Sequence, residues 1–337
     1  MLWLQAQILV HLIGTLPVKN LMPKQCTVIL GCQHEPEVQQ VTQALQQQGR
    51  CVYHFDTREY PQRNPIDFRV ENNIGSITLS EQRISFNRIG SVYWRTIYAP
   101  RPINDTNADT ANSVCMLKTF LDTPTIHWVN PRAAIESHKI KPRQLYYAQY
   151  LGASIPATYV GSSLDTAIAF ASQYEEVVAK PTHGGCHTIV LPQLGQRNEK
   201  LAQLLSSGPW TLQAYIDGEN IRTFVIGDKV YSALIRSNSI DYRDDKLAVA
   251  LAIPTPRAIQ QLAKRIMRGF GMQWTAIDWR RTSDGRYFFL EANPSPMFVE
   301  LERATGLPIT EALAHLLCST PNTRQGRYVT SLQNEPA

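Results

Sequence analysis

The stretch from Trp274 to Pro296 (WTAIDWRRTSDGRYFFLEANPSP) constrains the fold of this chain more than any other. Two runs rich in alternating and aromatic residues flank Asp284-Gly285, a dipeptide suited to a hairpin loop that needs positive φ. With Asp284 and Gly285 as a two-residue loop, Ser283 pairs with Arg286, and counting back along both strands sets Asp278 opposite Glu291. Side chains alternate along a strand, so Glu291 and Asn293 share the face of Asp278. Like charges directly opposite each other destabilise a sheet. Two arrangements relieve this: a hard divalent cation held by Asp278, Glu291 and the Asn293 amide oxygen, or pairing of each carboxylate with a nearby arginine on a solvated face. Mg²⁺ suits the first, because it typically binds through one or two carboxylates plus substrate phosphates.

The rest of the chain narrows the class. A chain of 337 residues, 43% hydrophobic and 18% charged, can bury a sizeable core in two or three lobes. Its formal charge of +5 is small and its basic residues are scattered, which argues against a nucleic-acid partner. Cys26, Cys32, Cys51, Cys115, Cys186 and Cys318 form no CxxC pair and no regular spacing, so neither a zinc site nor a disulfide framework is indicated. Buried or incidental thiols in a reducing cytoplasm are the expectation. Met1 to Val18 is apolar, but Gln5, Gln7 and His11 interrupt it and no basic segment precedes it, a poor match to a signal peptide or membrane span. Met22, followed by PKQCTVILG, offers an alternative start and would make residues 1–22 an extension.

From Lys24 to Trp128 the pattern predicts a small α/β lobe. Its elements are a strand over Thr27–Cys32, a helix over Pro36–Gln48 closed by Gly49, a strand over Cys51–Asp56, a hairpin of Ile74–Leu79 with Arg83–Phe86, and a strand over Ser91–Arg95. No GxGxxG or GxxxxGK[ST] loop follows any of these strands, which argues against a Rossmann dehydrogenase or P-loop NTPase. Further on, Lys141-Pro142 opens a helix that stops at Gly152, and the free amides of its first turn favour anions. Val177–Pro181 reads as a strand carrying Lys180. In the following loop, Gly184 and Gly185 let backbone N–H groups approach phosphate oxygens, or simply form a hairpin turn. His183 and His187 lack helical geometry and further ligands, so they do not indicate zinc. A second hairpin, Arg222–Ile226 with Val230–Ile235, turns at Gly227-Asp228. Arg222, Arg236 and Arg243 either grip phosphate or carboxylate ligands or neutralise Asp241, Asp244, Asp245, Asp278 and Glu291. Thr255-Pro256 caps an amphipathic helix, and residues 319–337 read as a mobile tail.

Asp278, then about a dozen residues, then Glu291-x-Asn293-x-Ser295-Pro296 and Leu301–Gly306 (LERATG), resembles the metal-binding end of ATP-grasp ligases. The likeness is greatest to the RimK-like branch, which joins amino acids to peptide or protein carboxylates, and it runs from about Asn130 to Leu317. It implies an α/β chain of α+β lobes: a pre-ATP-grasp domain over 23–129, ATP-grasp subdomains over 130–211 and 212–318, and the tail.

By the same resemblance Lys141 reaches the phosphates of ATP, Lys180 contacts the α-phosphate and adenine, and the Gly184-Gly185 loop closes over the triphosphate. The backbone of Gln213, Ala214, Tyr215 and Ile216 binds the adenine edge and Asn220 lies at the ribose. Arg222, Arg236 and Arg243 meet phosphate or an acidic substrate. Asp278, Glu291 and Asn293 hold two Mg²⁺ ions, with Mn²⁺ as the alternative, Glu291 bridging. Ala214 and Asn220 stand where relatives often carry acidic residues, and Glu219 is an adjacent substitute for the latter.

The implied activity is ATP-dependent amide formation between a carboxylate and an amine through an acyl phosphate, with ADP and phosphate released. Partners are an amino acid or a peptide or protein carboxylate, with no membrane or nucleic acid. The location is cytoplasmic, and a homo-oligomer is compatible with the sequence. The Val92–Arg95 segment (VYWR) also resembles the amino-terminal region of ligases that cyclise ribosomal peptides, against the plainer reading of a buried strand with Arg95 at its exposed end. An ester-forming or amide-forming macrocyclase, a ligase for a free small acceptor, and a nucleotide-binding module without catalysis therefore stay open.

Overall fold

A computed structural model of the protein describes residues 25–72, 74–101, 107–183, 188–237, 239, 245 and 247–319. The amino-terminal lobe contains β1 (Cys26–Leu30), α1 (Pro36–Gln47), β2 (Cys51–Phe55), β3 (Ile66–Arg69), β4 (Ile74–Leu79), β5 (Gln82–Ser85), β6 (Ile89–Trp94), α2 (Asn107–Leu121) and β7 (His127–Val129). A parallel sheet of order β2-β1-β6-β7 lies beside an antiparallel β3-β4-β5 sheet. All five β1 side chains are buried, as a central parallel strand covered on both faces requires. One face packs with α2 around Phe55, Phe86, Phe120 and Trp128. The other, through Ile29 and Tyr93, joins α1 in a core shared with the carboxyl-terminal lobe.

The central lobe contains α3 (Arg132–His138), α4 (Lys141–Tyr150), β8 (Thr158–Gly161), α5 (Leu164–Ala171), β9 (Val177–Pro181), β10 (Ile189–Val190), α6 (Leu194–Leu205) and β11 (Trp210–Ala214). Its antiparallel sheet, β10-β9-β11-β8, packs against α5 and α6 through Ala167, Ala171, Leu201 and Leu212. β11, which ends at Ala214, completes this sheet. α3 and α4 instead seat Ala134, Leu145 and Ala148 in the core of the next lobe.

That last lobe contains β12 (Glu219–Ile226), β13 (Lys229–Arg236), β14 (Val249–Ile253), α7 (Arg257–Gly269), β15 (Trp274–Arg281), β16 (Tyr287–Asn293), α8 (Val299–Thr305) and α9 (Ile309–Cys318). Its antiparallel sheet has the order β14-β13-β12-β15-β16, and α7 covers one face with Ala263, Ile266 and Met267. The residue before α7 is Pro256, which supplies no side-chain cap; the Thr255 hydroxyl donates instead to Ser232 Oγ at 2.8 Å. The LERATG segment is a structural joint. Gly306 ends α8 at φ +70°, and the Glu302 carboxylate accepts from Thr310 N–H (2.8 Å), the Thr310 hydroxyl and Gln40 Nε2 of α1.

The β15–β16 hairpin differs from the expected register in an instructive way. Arg281 pairs with Tyr287 and Thr282 N–H donates to Arg286 O, so the loop has three residues, Ser283-Asp284-Gly285, with Gly285 at φ +84°. A three-residue loop closed by a left-handed glycine is a standard hairpin solution. The one-residue slip is undone by a bulge at Leu290, after which Asp278 faces Glu291 as the sequence count predicts.

The lobes meet at Asn130, fully buried. Its Nδ2 donates to Trp274 O (2.8 Å) and Pro294 O (2.7 Å), and its Oδ1 accepts from Gln273 N–H (2.5 Å) and Trp274 N–H (3.2 Å).

Candidate active site

A cleft opens between the central sheet and the β12-β15-β16 face. Arg222, Asp278 and Glu291 lie in one row across three adjacent strands, because Arg222 is the register partner of Asp278 and Asp278 that of Glu291. Arg222 donates through Nε and one terminal nitrogen to the two oxygens of Asp278, both at 2.8 Å. Lys141, at the first turn of α4, donates to Glu291 Oε2 at 2.8 Å. Burial alone would raise the Glu291 carboxyl, but Lys141, then Arg222 and Lys180, hold it down at about 2. Asp278 is thus paired with an arginine, as the second sequence reading has it, but Glu291 is paired with a lysine, and both lie within a cleft rather than on a solvated face: side-chain exposure is 14% for Asp278 and 30% for Glu291.

Most of the remaining sequence candidates lie among the described residues. Lys180 of β9 lines the cleft and donates to Gln213 Oε1 at 2.9 Å; Gln213, Ala214, Tyr215, Ile216 and Asn220 line it too. Tyr215 N–H is taken by Glu176 O at 3.0 Å, while the chain through Ile216 runs past the end of β11. Asn293 shares the strand face of Glu291, and its Oδ1 accepts from Ser295 N–H at 2.9 Å. Two candidates lie off the cleft face. Glu219 projects off the face opposite Asn220 and pairs with Arg281 Nε at 3.0 Å. Arg236 is exposed at the end of β13, on the face opposite Arg222, and does not line the cleft. Gly184, Gly185 and Arg243 lie outside the described residues, as does His187.

One further residue lines the cleft, and two more lie behind Lys141 and the β16 edge. Arg280, two residues beyond Asp278 and so on the same face, lines it; that spacing was its sequence signal. Gln144 is wedged beneath the β16 edge: Nε2 donates to His138 O (2.9 Å) and Ala292 O (3.1 Å), and Oε1 accepts from Ala292 N–H (2.9 Å). His138 Nδ1 faces two donors, Gln144 Nε2 at 3.1 Å and Lys141 Nζ at 3.5 Å. Arg95 is not at an exposed end. Its side chain, 11% exposed, lies against Glu35 and Glu37, while Ser295 Oγ donates to Arg95 O at 2.7 Å and ties the amino-terminal lobe to the loop after Asn293.

The donors at Asp278, Glu291 and Asn293 are oxygens only, which suits Mg²⁺. No group of three or more His, Cys, Asp or Glu able to hold a metal occurs among the described residues. Lys141, Lys180 and Arg222 act on the two carboxylates, and Arg280 also lines the cleft, a cationic excess fit for a polyanion.

Residues 137–317 match the family model of the RimK-like ATP-grasp domain, and residues 29–136 that of the MvdD pre-ATP grasp domain. The chain belongs to the RimK-like ATP-grasp family. Among relatives of this ATP-grasp ligase is the tetrahydromethanopterin:alpha-L-glutamate ligase of Methanococcus maripaludis, 24% identical over 55% of this chain and 67% of that protein. The macrocyclase MdnC of Microcystis aeruginosa MRC, solved with its precursor peptide MdnA, superposes with a TM-score of 0.76 at 22% identity, over 88% of this chain and all (100%) of that one. The ATP-grasp ligase PsnB, solved with a phosphomimetic variant of a minimal precursor, Mg and ADP, gives 0.73 at 23% identity, over 87% of this chain and 97% of that one. No helix among the described residues of the ATP-grasp chain is long and apolar enough to cross a membrane.

One pH effect follows from this geometry. Burial first, then the Lys141 charge, pushes the His138 pKa from 6.5 down to about 4. The unfolded state therefore binds more protons than the folded state between these values, and His138 makes stability fall as pH drops through that window. The melting temperature of the wild type is expected to drop more steeply between pH 7 and pH 4.5 than that of His138→Gln, which stays neutral; parallel curves would contradict the assignment.

Proposed function

We propose that this protein is an ATP-dependent ligase that activates a carboxylate as an acyl phosphate and passes it to an amine, releasing ADP and phosphate. The observation that carries this is the row Arg222–Asp278–Glu291 with Lys141 at its end and Lys180 across the cleft. Lys141, Lys180 and Arg222 take the triphosphate, and the backbone from Gln213 to Ile216 takes the adenine edge, where few side-chain demands apply. Phosphate oxygens replace the carboxylates as partners of Lys141 and Arg222, which frees Asp278 and Glu291 to hold Mg²⁺ with Asn293. When bound, Mg²⁺ supplies charge neutralisation at the transferring phosphoryl group. An acceptor carboxylate oxygen attacks the γ-phosphorus, the bond to the β-phosphate oxygen breaks, and ADP leaves. The amine then attacks the acyl carbon, loses a proton and expels phosphate.

A peptide acceptor is the favoured substrate class, supported by the two solved relatives that bind precursor peptides and by coverage that extends through the amino-terminal lobe. An ester-forming or amide-forming macrocyclase is the second reading on the same grounds. ADP release from Mg·ATP, measured with amino acids, short acidic peptides or no acceptor, tests both. Stimulation by acidic peptides alone is expected; stimulation by free amino acids alone would exclude the peptide reading.

A further inference from the structure

β16 stands at the edge of the carboxyl-terminal sheet, and an edge strand turns one row of backbone groups away from the ladder. It is also irregular. The bulge at Leu290 falls between Phe289, which pairs with Trp279, and Glu291, which pairs with Asp278. A bulge disrupts the ladder locally and bends the strand, so β15 alone leaves freedom where the Glu291 and Asn293 oxygens must be aimed.

Two contacts from outside the sheet remove that freedom. Ahead of the bulge, Phe289 N–H donates to Ser154 O at 2.8 Å. Beyond it, Ala292 N–H donates to Gln144 Oε1 at 2.9 Å, and Ala292 O accepts from Gln144 Nε2 at 3.1 Å. Both backbone groups of Ala292 thus turn away from its β15 partner Ile277, as in the non-hydrogen-bonded pair of an antiparallel ladder. A side-chain amide, with acceptor and donor side by side, matches this pair. Gln144 is buried, with 4% of its surface exposed, and its Nε2 also donates to His138 O at 2.9 Å, which fixes the orientation of the amide.

The place of this contact separates it from ordinary edge protection. A purely structural pin would serve at any outward-facing pair along β16, whereas Gln144 grips the one residue between Glu291 and Asn293. Gln144 also lies three residues, about one helical turn, after Lys141 on α4, and Lys141 Nζ reaches Glu291 Oε2 at 2.8 Å. Lys141 N–H donates in turn to Thr182 O at 3.2 Å, just past the end of the strand that bears Lys180. One turn of helix therefore ties together Lys141, β9 and the oxygen donors of β16. Gln144 itself does not line the cleft.

We propose that Gln144 is a positioning residue for the cation site: by gripping Ala292 it sets the spacing of the Glu291 and Asn293 oxygens and their distance from Lys141. This rests on the reading of Asp278, Glu291 and Asn293 as metal ligands given above. Outer groups that orient ligands without touching the ion are worth about 10–100-fold in metal affinity.

The test is equilibrium binding of β,γ-imido-ATP to the full chain, once with Mn²⁺ and once with EDTA, for wild type, Gln144→Met and Gln144→Asn. Met keeps the length of the side chain without its hydrogen bonds, and Asn keeps the amide one methylene short of Ala292. The quantity read is the ratio of the two dissociation constants, which is the tightening that the metal brings. In both variants this ratio is expected to fall by about tenfold or more, while metal-free binding stays within about twofold of wild type. Gln144→Asn preserves the polarity of the buried site and serves where the Met variant fails to fold. A merely structural role would weaken metal-free and metal-bound nucleotide alike; that result, an unchanged ratio, or loss of the fold in both variants overturns the proposal. A wild type that gains nothing from Mn²⁺ overturns the metal reading on which the proposal stands, and one that binds the analogue in neither condition overturns the nucleotide reading as well.

Discussion

Glu291→Gln is expected to yield a folded protein that no longer turns over ATP. The Gln carbonyl still accepts from Lys141, so the α4–β16 contact survives at a cost of about 1–2 kcal/mol. The lost negative charge is the one that a bound Mg²⁺ requires, and turnover falls by about a thousandfold or more, as for other groups that stabilise developing charge. ADP release and circular dichroism on the same sample separate the two effects. A Glu291→Gln protein with wild-type turnover would remove Glu291 from the metal site, and a sample without native dichroism would assign it to folding.

Asn130→Ala is expected to produce the largest loss of stability of any single substitution considered. Asn130 is fully buried, and its one side chain answers four backbone groups, on Gln273, Trp274 and Pro294. Truncation leaves these groups without partners where water cannot easily replace the amide, a penalty of about 3–5 kcal/mol. The melting temperature should fall by on the order of 10 °C. Because Pro294 follows Asn293 directly, the residual folded protein should also bind Mg·ATP more weakly. A drop of under about 2 °C would show that the junction is held chiefly by the apolar contacts of Tyr93, Trp274 and Phe298 and that the amide adds little.

Much of the chemistry was legible because it rests on strand alternation, which a sequence displays. The pairing of Asp278 with Glu291 came out correctly although the loop length did not: a three-residue turn and a bulge at Leu290 shift the register by one in opposite senses. A bulge leaves no composition signal, so only the net register was readable. Strand β9 with Lys180, the Gly227 hairpin and the Lys141 helix were readable for the same reason, since turn residues and alternation fix them locally. Strands β3 and β7 and helix α2 were not read, being short or weakly amphipathic and defined by tertiary packing around Phe120 and Trp128.

Side-chain partners across the fold were the least legible part. Adjacency in sequence made Glu219 a plausible neighbour of Asn220, yet alternation along β12 sends it to the opposite face. Arg95 looked like a strand end and is instead enclosed by Glu35, Glu37 and Ser295, two of them close in sequence to one another and the third 200 residues away. Arg280 carried the readable spacing, two residues from Asp278, but its partners Tyr215 and Asn220 come from other segments of the chain. Alternation thus showed its face and concealed its role.

The central claim is that this chain activates a carboxylate by transferring a phosphoryl group to it. The most direct test uses an acidic peptide that stimulates turnover, labelled with ¹⁸O in its carboxylates, and follows the label by mass spectrometry of the released phosphate. Attack of the carboxylate oxygen on the γ-phosphorus predicts one ¹⁸O in each phosphate formed, together with ADP. Unlabelled phosphate, or AMP and pyrophosphate as the nucleotide products, would contradict it.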